Sequence, residues 1–189
     1  MMSKLNKPRP WLVIAAILAV AVYRLRCQER IWWCACGQSR LWDGDIWSPH
    51  NSQHLFDPYS FTHILHGVLL FWLIAWILPR LPLMWQFTLA IAAEILWEVF
   101  ENSMFIIQRY REATIGMGYK GDSIINSMGD ILCCAMGFFL ARYLGLWRSL
   151  ALFVLIELGL LFWVRDNLTL NALMLICPID AIKAWQMVQ

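Results

Sequence analysis

Apolar runs separated by short polar punctuation set the plan of this chain. Residues 11–23, 61–78, 83–107, 123–144 and 147–164 are each dominated by aliphatic and aromatic side chains. A hydrocarbon layer about 30 Å thick takes roughly 20 helical residues to cross, so these runs predict five spanning helices. The first run is short, and Arg24 and Arg26 extend it by snorkelling toward the headgroups. A cleaved leader ending near Ala19-Val20-Ala21 is the rival reading, and the two arginines just beyond it disfavour cleavage. Pro79-Arg80-Leu81-Pro82 makes a tight hairpin between the second and third runs. Gly145 ends the fourth run, and Arg165-Asp166-Asn167 ends the fifth. The apolar stretch 168–176 is cut off by Pro178; it is too short to span and predicts an interfacial or re-entrant helix. The chain therefore reads as one all-α multi-pass membrane domain, residues 1–189. It is a bundle of about five helices with a polar loop at 27–60 and a tail-helix region at 166–189.

Gly, Pro, Asp and Asn punctuate the polar loop, yet it also carries Trp32, Trp33, Trp42 and Trp47. Four indoles argue for an ordered loop packed on the membrane surface. A second polar loop, 108–121, holds Gly116, Gly118 and Gly121.

Three polar clusters interrupt the apolar plan: His54/Asp57/His63/His66, Glu94/Glu98/Glu101/Asn102 and Asp122/Asn126/Asp130. Ionisable side chains cost several kcal/mol in hydrocarbon and mark a functional site by default. Alternate spans run in opposite directions, which brings all three clusters to one face of the bilayer. Helical spacing adds detail. His63 and His66 share a face. Glu94, Glu98 and Glu101 fall in a stripe roughly 60° wide, and Asp122, Asn126 and Asp130 repeat every fourth residue, with Cys133 continuing the line. Glu157, near the middle of the fifth run, is the deepest isolated charge. The two acidic stripes are expected to face each other with the histidines between them.

Composition agrees with the membrane plan. Of 189 residues, 60% are hydrophobic and 15% charged. Soluble domains run nearer half apolar and a quarter charged. The net charge of +2, with no basic stripe interleaved with aromatics, gives no sign of a nucleic-acid partner. Membrane lipids are the expected surroundings, and no feature specifies a protein partner.

Oxygen and imidazole donors on facing helices can hold one or two divalent metal ions, share protons, or simply tie helices together. For a metal-bearing centre the expected ligands are His54, His63, His66, Glu98 and Asp122, with Glu98, Glu101, Asp122 and Asp130 as acid/base groups. That set fits a membrane-embedded, metal-dependent enzyme of hydrolytic or lipid-directed type. An ion or proton conductor with Glu157 as its deep relay is a second reading. A structural or assembly subunit, its carboxylates paired with Arg109, Arg111 or Arg165, is a third.

Smaller signals remain. Cys133, Cys134 and Cys177 lie in apolar runs and read as buried small hydrophobes, whereas Cys27, Cys34 and Cys36 lie in the polar loop as potential ligands or redox groups. Cys34-Ala-Cys36 alone is a weak soft-metal signal, and a disulfide two residues apart is strained. Gly121-Asp122-Ser123 reads as a helix N-cap, with Asp122 or Ser123 as acceptor. Asn167-Leu168-Thr169 matches a glycosylation sequon.

Several segments carry a resemblance. Cys34-Ala-Cys36-Gly37, Asn51-Ser52-Gln53-His54, Asp57-Pro58-Tyr59 and His63-Ile-Leu-His66-Gly67 are four of them. Glu98-Val-Phe-Glu101-Asn102-Ser103, Gly121-Asp122-Ser123-Ile-Ile-Asn126-Ser127 and Arg165-Asp166-Asn167-Leu168 complete the set. Together they resemble uncharacterised protein family 0314, bacterial multi-pass inner-membrane proteins. Pro58 departs from the tryptophan that the resemblance places there. The resemblance implies a plasma-membrane location and supplies no activity or catalytic residue.

Orientation pulls two ways. With the N-terminus inside, the cytoplasmic side holds six basic residues and the far side nine. That count favours an outside N-terminus. The basic leader with Lys4, Lys7 and Arg9 favours the reverse, and the reading taken is N-terminus inside with the site extracytoplasmic.

Overall fold

The computed structural model describes residues 9–38, 40–116 and 118–188, so the leader lysines Lys4 and Lys7 lie outside the described residues. Among the described residues eight helices follow one another: α1 Pro10–Cys27, α2 Ser60–Ile77, α3 Leu83–Glu101, α4 Met104–Ala113, α5 Ile124–Leu144, α6 Leu146–Val164, α7 Leu168–Ile176 and α8 Asp180–Met187. The sole strand-like feature among the described residues is a single bridge between Trp42 and Phe56. Helices α1, α2, α3, α5 and α6 are each long and apolar enough to cross a membrane.

Helix α5 is the most enclosed of the five, and α2 lies along it. Their closeness has a cause in the sequence. A Cβ at Gly67 of α2 would collide with the Cys134 carbonyl oxygen, and one at Gly137 of α5 with the Ile64 carbonyl oxygen. Each helix presents hydrogen where the other presents backbone, the small-residue contact that lets helices associate without a hydrophobic drive from water. Helix α3 packs beside this pair, α1 leans mainly on α3, and α6 closes the far side against α2 and α5. A dry core forms from Val68, Phe71, Phe87, Ala90, Ile91, Ile95, Ile131 and Phe138. Phe138 is its hub, with ring centroids 5.1 Å from Phe71 and 5.3 Å from Phe87. The outer helices α1 and α6 leave Leu12, Val20, Leu155 and Phe162 exposed, as lipid contact requires.

Caps fix the boundaries. The third helix ends at Glu101 rather than near residue 107 as the hydropathy predicts, because Ser103 caps a new helix by accepting from the Ile106 amide at 3.4 Å. Much of the expected polar loop 108–121 is therefore the end of α4. Ser123, rather than Asp122, caps α5 through the Asn126 amide at 3.2 Å. Asn167 of the sequon is buried and caps α7, accepting from Leu170 at 2.8 Å. The expected short helix at 168–176 is present, and α8 follows it.

Glu157 has a local explanation. Its carboxylate accepts from the amides of Leu168 at 2.9 Å and Thr169 at 3.2 Å, satisfying donors that a helix start leaves free. An acid deep in an apolar helix thus serves as the anchor for α7.

Candidate functional site

Beyond the dry core toward the loops, α2, α3 and α5 turn polar side chains inward. Within α3, the four-residue step from Glu94 to Glu98 keeps both carboxylates on the face that meets α2. Glu94 is 1% exposed and Glu98 wholly enclosed. From α2, His63 Nδ1 lies 2.6 Å from Glu94 Oε1, and His66 Nδ1 lies 3.0 Å from Glu94 Oε2. His63 also stands 3.4 Å from Glu98 and, through Nε2, 3.9 Å from Asp130 of α5. Ser60 donates its hydroxyl to Asp130 at 2.9 Å. The two imidazoles meet edge to face at 4.8 Å, and Trp97 backs His66.

A second tier sits where α3 breaks. Asn102 donates to Asp122 at 2.7 Å and accepts the Asp122 amide at 2.7 Å, locking the α3–α4 corner to the start of α5. Tyr119 donates to the other Asp122 oxygen at 2.9 Å, and Tyr110 to Glu101 at 2.7 Å. Burial pushes the Asp122 carboxyl up to about 6. Asp57 works as a loop organiser, collecting the backbone amides of Ser52, Tyr59 and Ser60 at 3.0, 2.7 and 3.2 Å. Asp166, which also receives the Tyr59 hydroxyl at 3.2 Å, is pushed up to about 6 by burial.

Charge balance separates this centre from an ordinary polar network. Among the described residues, every ion pair runs from His63 or His66 to Glu94, Glu98 or Asp130. The arginines end on backbone carbonyls instead: Arg109 on Leu175, Arg111 on Tyr119, Arg165 on Trp185 and Val188. Two imidazoles thus face the four carboxyl groups of Glu94, Glu98, Glu101 and Asp130. Among the described residues neither oxygen of Glu98 receives a hydrogen bond, and the ion-pair partner nearest to it is His63, 3.4 Å away. A buried carboxylate without a donor needs a proton or a cation.

Two donor sets have ligand atoms within 4.8 Å of one another here, His63/His66/Glu94 and His63/Glu98/Glu101. Mixed imidazole and carboxylate donors suit first-row divalent ions such as zinc, manganese or iron(II). Of the residues expected from the sequence, His63, His66, Glu98, Glu101 and Asp130 come together. His54 and Asp122 fall outside both sets: His54 joins Cys34, Cys36 and His50, and the oxygens of Asp122 are taken by Asn102 and Tyr119. Glu94, absent from the expected ligands, is the acceptor that joins the two histidines. Its place one turn before Glu98 signalled that role. Tyr110 and Tyr119 had no such signal, since Tyr110 lies on a short helix hidden in an expected loop and Tyr119 in a loop without periodicity.

A cavity of about 670 Å³ opens over the centre. Helix residues His63, His66, Glu101 and Asp130 line it on one side, and loop residues including Trp47 and His50 on the other.

Five spanning-type helices around a buried imidazole–carboxylate centre define a polytopic helical bundle with a polar pocket. The chain belongs to the family described as "Protein of unknown function (DUF2585)", whose model matches residues 25–188. Relatives called UPF0314 protein agree over nearly the full length. The one from Sphingopyxis alaskensis is 45% identical over 176 residues, covering 93% of this chain and 94% of its own. The Rhizobium meliloti relative is 43% identical over 97% of this chain and 94% of its own, and that of Paracoccus denitrificans 40% over 93% and 91%. No solved structure matches the chain.

Proposed function

We propose that this protein is a metal-dependent enzyme of the bacterial inner membrane, hydrolytic in type and directed at an amphipathic, lipid-derived substrate. The observation that carries the reading is the enclosed Glu98 carboxylate, without a donor, in a group of four carboxyls balanced by two imidazoles alone. With the two imidazoles neutral as ligands, a divalent cation offsets two of the four carboxylate charges. His63, His66 and Glu94 would hold the ion, with Glu98 as the enclosed countercharge behind His63. Bound there, it supplies Lewis acidity and a water activated near neutral pH. Asp130, held by Ser60, and Glu101, held by Tyr110, both face the cavity and are placed to take up and return a proton. The cavity lies within the usual range for small-molecule sites, roughly 300–1,000 Å³. Its aromatic wall from Trp47 and Trp97 suits the apolar part of a substrate arriving from the bilayer.

Conduction finds less support. Toward the other leaflet, the α3 positions preceding Glu94 are the buried apolar Ile91, Ala90 and Phe87. Glu157, the expected relay, is occupied by the amides of α7.

Metal analysis of detergent-purified protein tests the reading. Glu94→Gln and His66→Ala are each expected to lose about one equivalent of divalent metal relative to the parent while keeping its helical content. Undiminished metal in both folded variants overturns the proposal.

A further inference from the structure

A separate group of donors lies in the polar loop. Cys34 and Cys36 stand two residues apart, and His50 and His54 four apart. The four ligand atoms all lie within 4.8 Å of one another. Cys34 Sγ is 3.2 Å from His50 Nδ1, and Cys36 Sγ is 4.0 Å from His54 Nε2. Around tetrahedral zinc, with bonds of about 2.3 Å to sulfur and 2.0–2.1 Å to nitrogen, donor atoms stand roughly 3.3–3.8 Å apart. Closing this set on an ion therefore takes shifts of about an ångström or less. All four cysteine and histidine donors are of types that structural zinc uses. The Cys36 amide points at Cys34 Sγ from 3.4 Å, which holds the two cysteines in one tight turn. Cys34 and His54 are buried, His54 at 1% exposure, in a loop with almost no regular structure to bury them.

The placement says what such an ion would do. The first amides of α5 find their acceptors in this loop: Ser123 donates to the Ser52 carbonyl at 2.9 Å, Ile124 to Ile31 at 2.8 Å and Ile125 to Trp32 at 3.2 Å. Ser123 also gives its hydroxyl to the Gln53 carbonyl at 3.0 Å. Two loop segments, one leading into Cys34 and one running between His50 and His54, thus converge on the same helix start. A cross-link between them fixes both against α5 and sets the wall of the cavity, to which Cys34, Cys36 and His50 contribute.

We infer that Cys34, Cys36, His50 and His54 form a four-ligand structural zinc site that staples the polar loop over the pocket. It is independent of the centre at Glu94, and each stands or falls without the other. Linking two stretches of one loop in this way confines the unfolded chain and adds binding energy to folding.

Cobalt(II) exchanged into the full-length protein in detergent tests it, because only a thiolate-bearing site gives sulfur-to-cobalt charge-transfer bands together with the intense visible bands of a tetrahedral ion. The parent is expected to show both. The double variant Cys34→Ser/Cys36→Ser should abolish the charge-transfer bands, His50→Ala should weaken the visible ones, and Glu94→Gln and His66→Ala, which act on the other centre, should leave the charge-transfer bands unchanged. Parent protein without charge-transfer bands overturns the proposal. Should the cysteine variants fail to fold, maleimide labelling of the parent decides: Cys34 and Cys36 should label only after chelation. Equal labelling with and without chelator, or a Cys34–Cys36 disulfide found by mass spectrometry, rejects the site.

Discussion

Gly67→Leu is expected to break the bundle, and Gly159→Ala to leave it intact. A side chain at Gly67 meets the Cys134 carbonyl and the Phe138 amide, which are backbone atoms of a helix and cannot turn aside as a side-chain tip can. Helices α2 and α5 would have to separate, opening the contact that also aligns His63 with Asp130. Overpacking a well-filled interior costs about 1–3 kcal/mol, and a rigid backbone neighbour puts this case at or above the upper end. Gly159 on α6 has open space where its Cβ would go, and alanine there improves helix propensity. Thermal unfolding in detergent, read by tryptophan fluorescence, separates the two. A Gly67→Leu protein melting with the parent would mean that α2 and α5 do not approach as described.

His63→Ala is expected to destabilise the protein by about 3–5 kcal/mol, the usual penalty for stranding a buried charge. His63 reaches three carboxylates, Glu94 at 2.6 Å, Glu98 at 3.4 Å and Asp130 at 3.9 Å. Without it, Glu94 keeps His66 while Glu98 and Asp130 lose their only ion-pair partner among the described residues. Adding Glu98→Gln removes one stranded charge, so the double variant should recover part of the loss. Residues in one network couple by about 0.5–3 kcal/mol, and the recovery belongs in that range. Full additivity of the two single changes would show that His63 and Glu98 do not interact.

How far the sequence announces this arrangement depends on the kind of signal. The five spanning runs and their alternation are periodic over many residues, and that is enough to bring His63, His66, Glu98, Glu101 and Asp130 together. The end of α3 is masked because Phe105, Ile106 and Ile107 continue the hydrophobic run. What stops the helix is the Ser103 cap, with Asn102 turned to Asp122, a partner 20 residues on. Glu157 looks like an isolated deep charge until α7 folds back and offers its amides. His54 shows a limit of spacing arguments. It sits nine residues before His63 in a loop without periodicity, and only the fold turns it to Cys36. Cys34-x-Cys36 alone is a weak signal, and His50-x-x-x-His54 stands further along the same loop with no periodicity to join the two. Without the fold, nothing showed that they meet.

In the function proposed above, imidazoles and carboxylates from α2 and α3 hold a divalent cation. Anomalous X-ray scattering from crystals of the full-length protein soaked in manganese(II) tests it most directly. A peak enclosed by His63, His66 and Glu94 is expected, absent from the Glu94→Gln crystal. Fully soaked crystals with no peak there, or with these three side chains turned toward lipid, would contradict it.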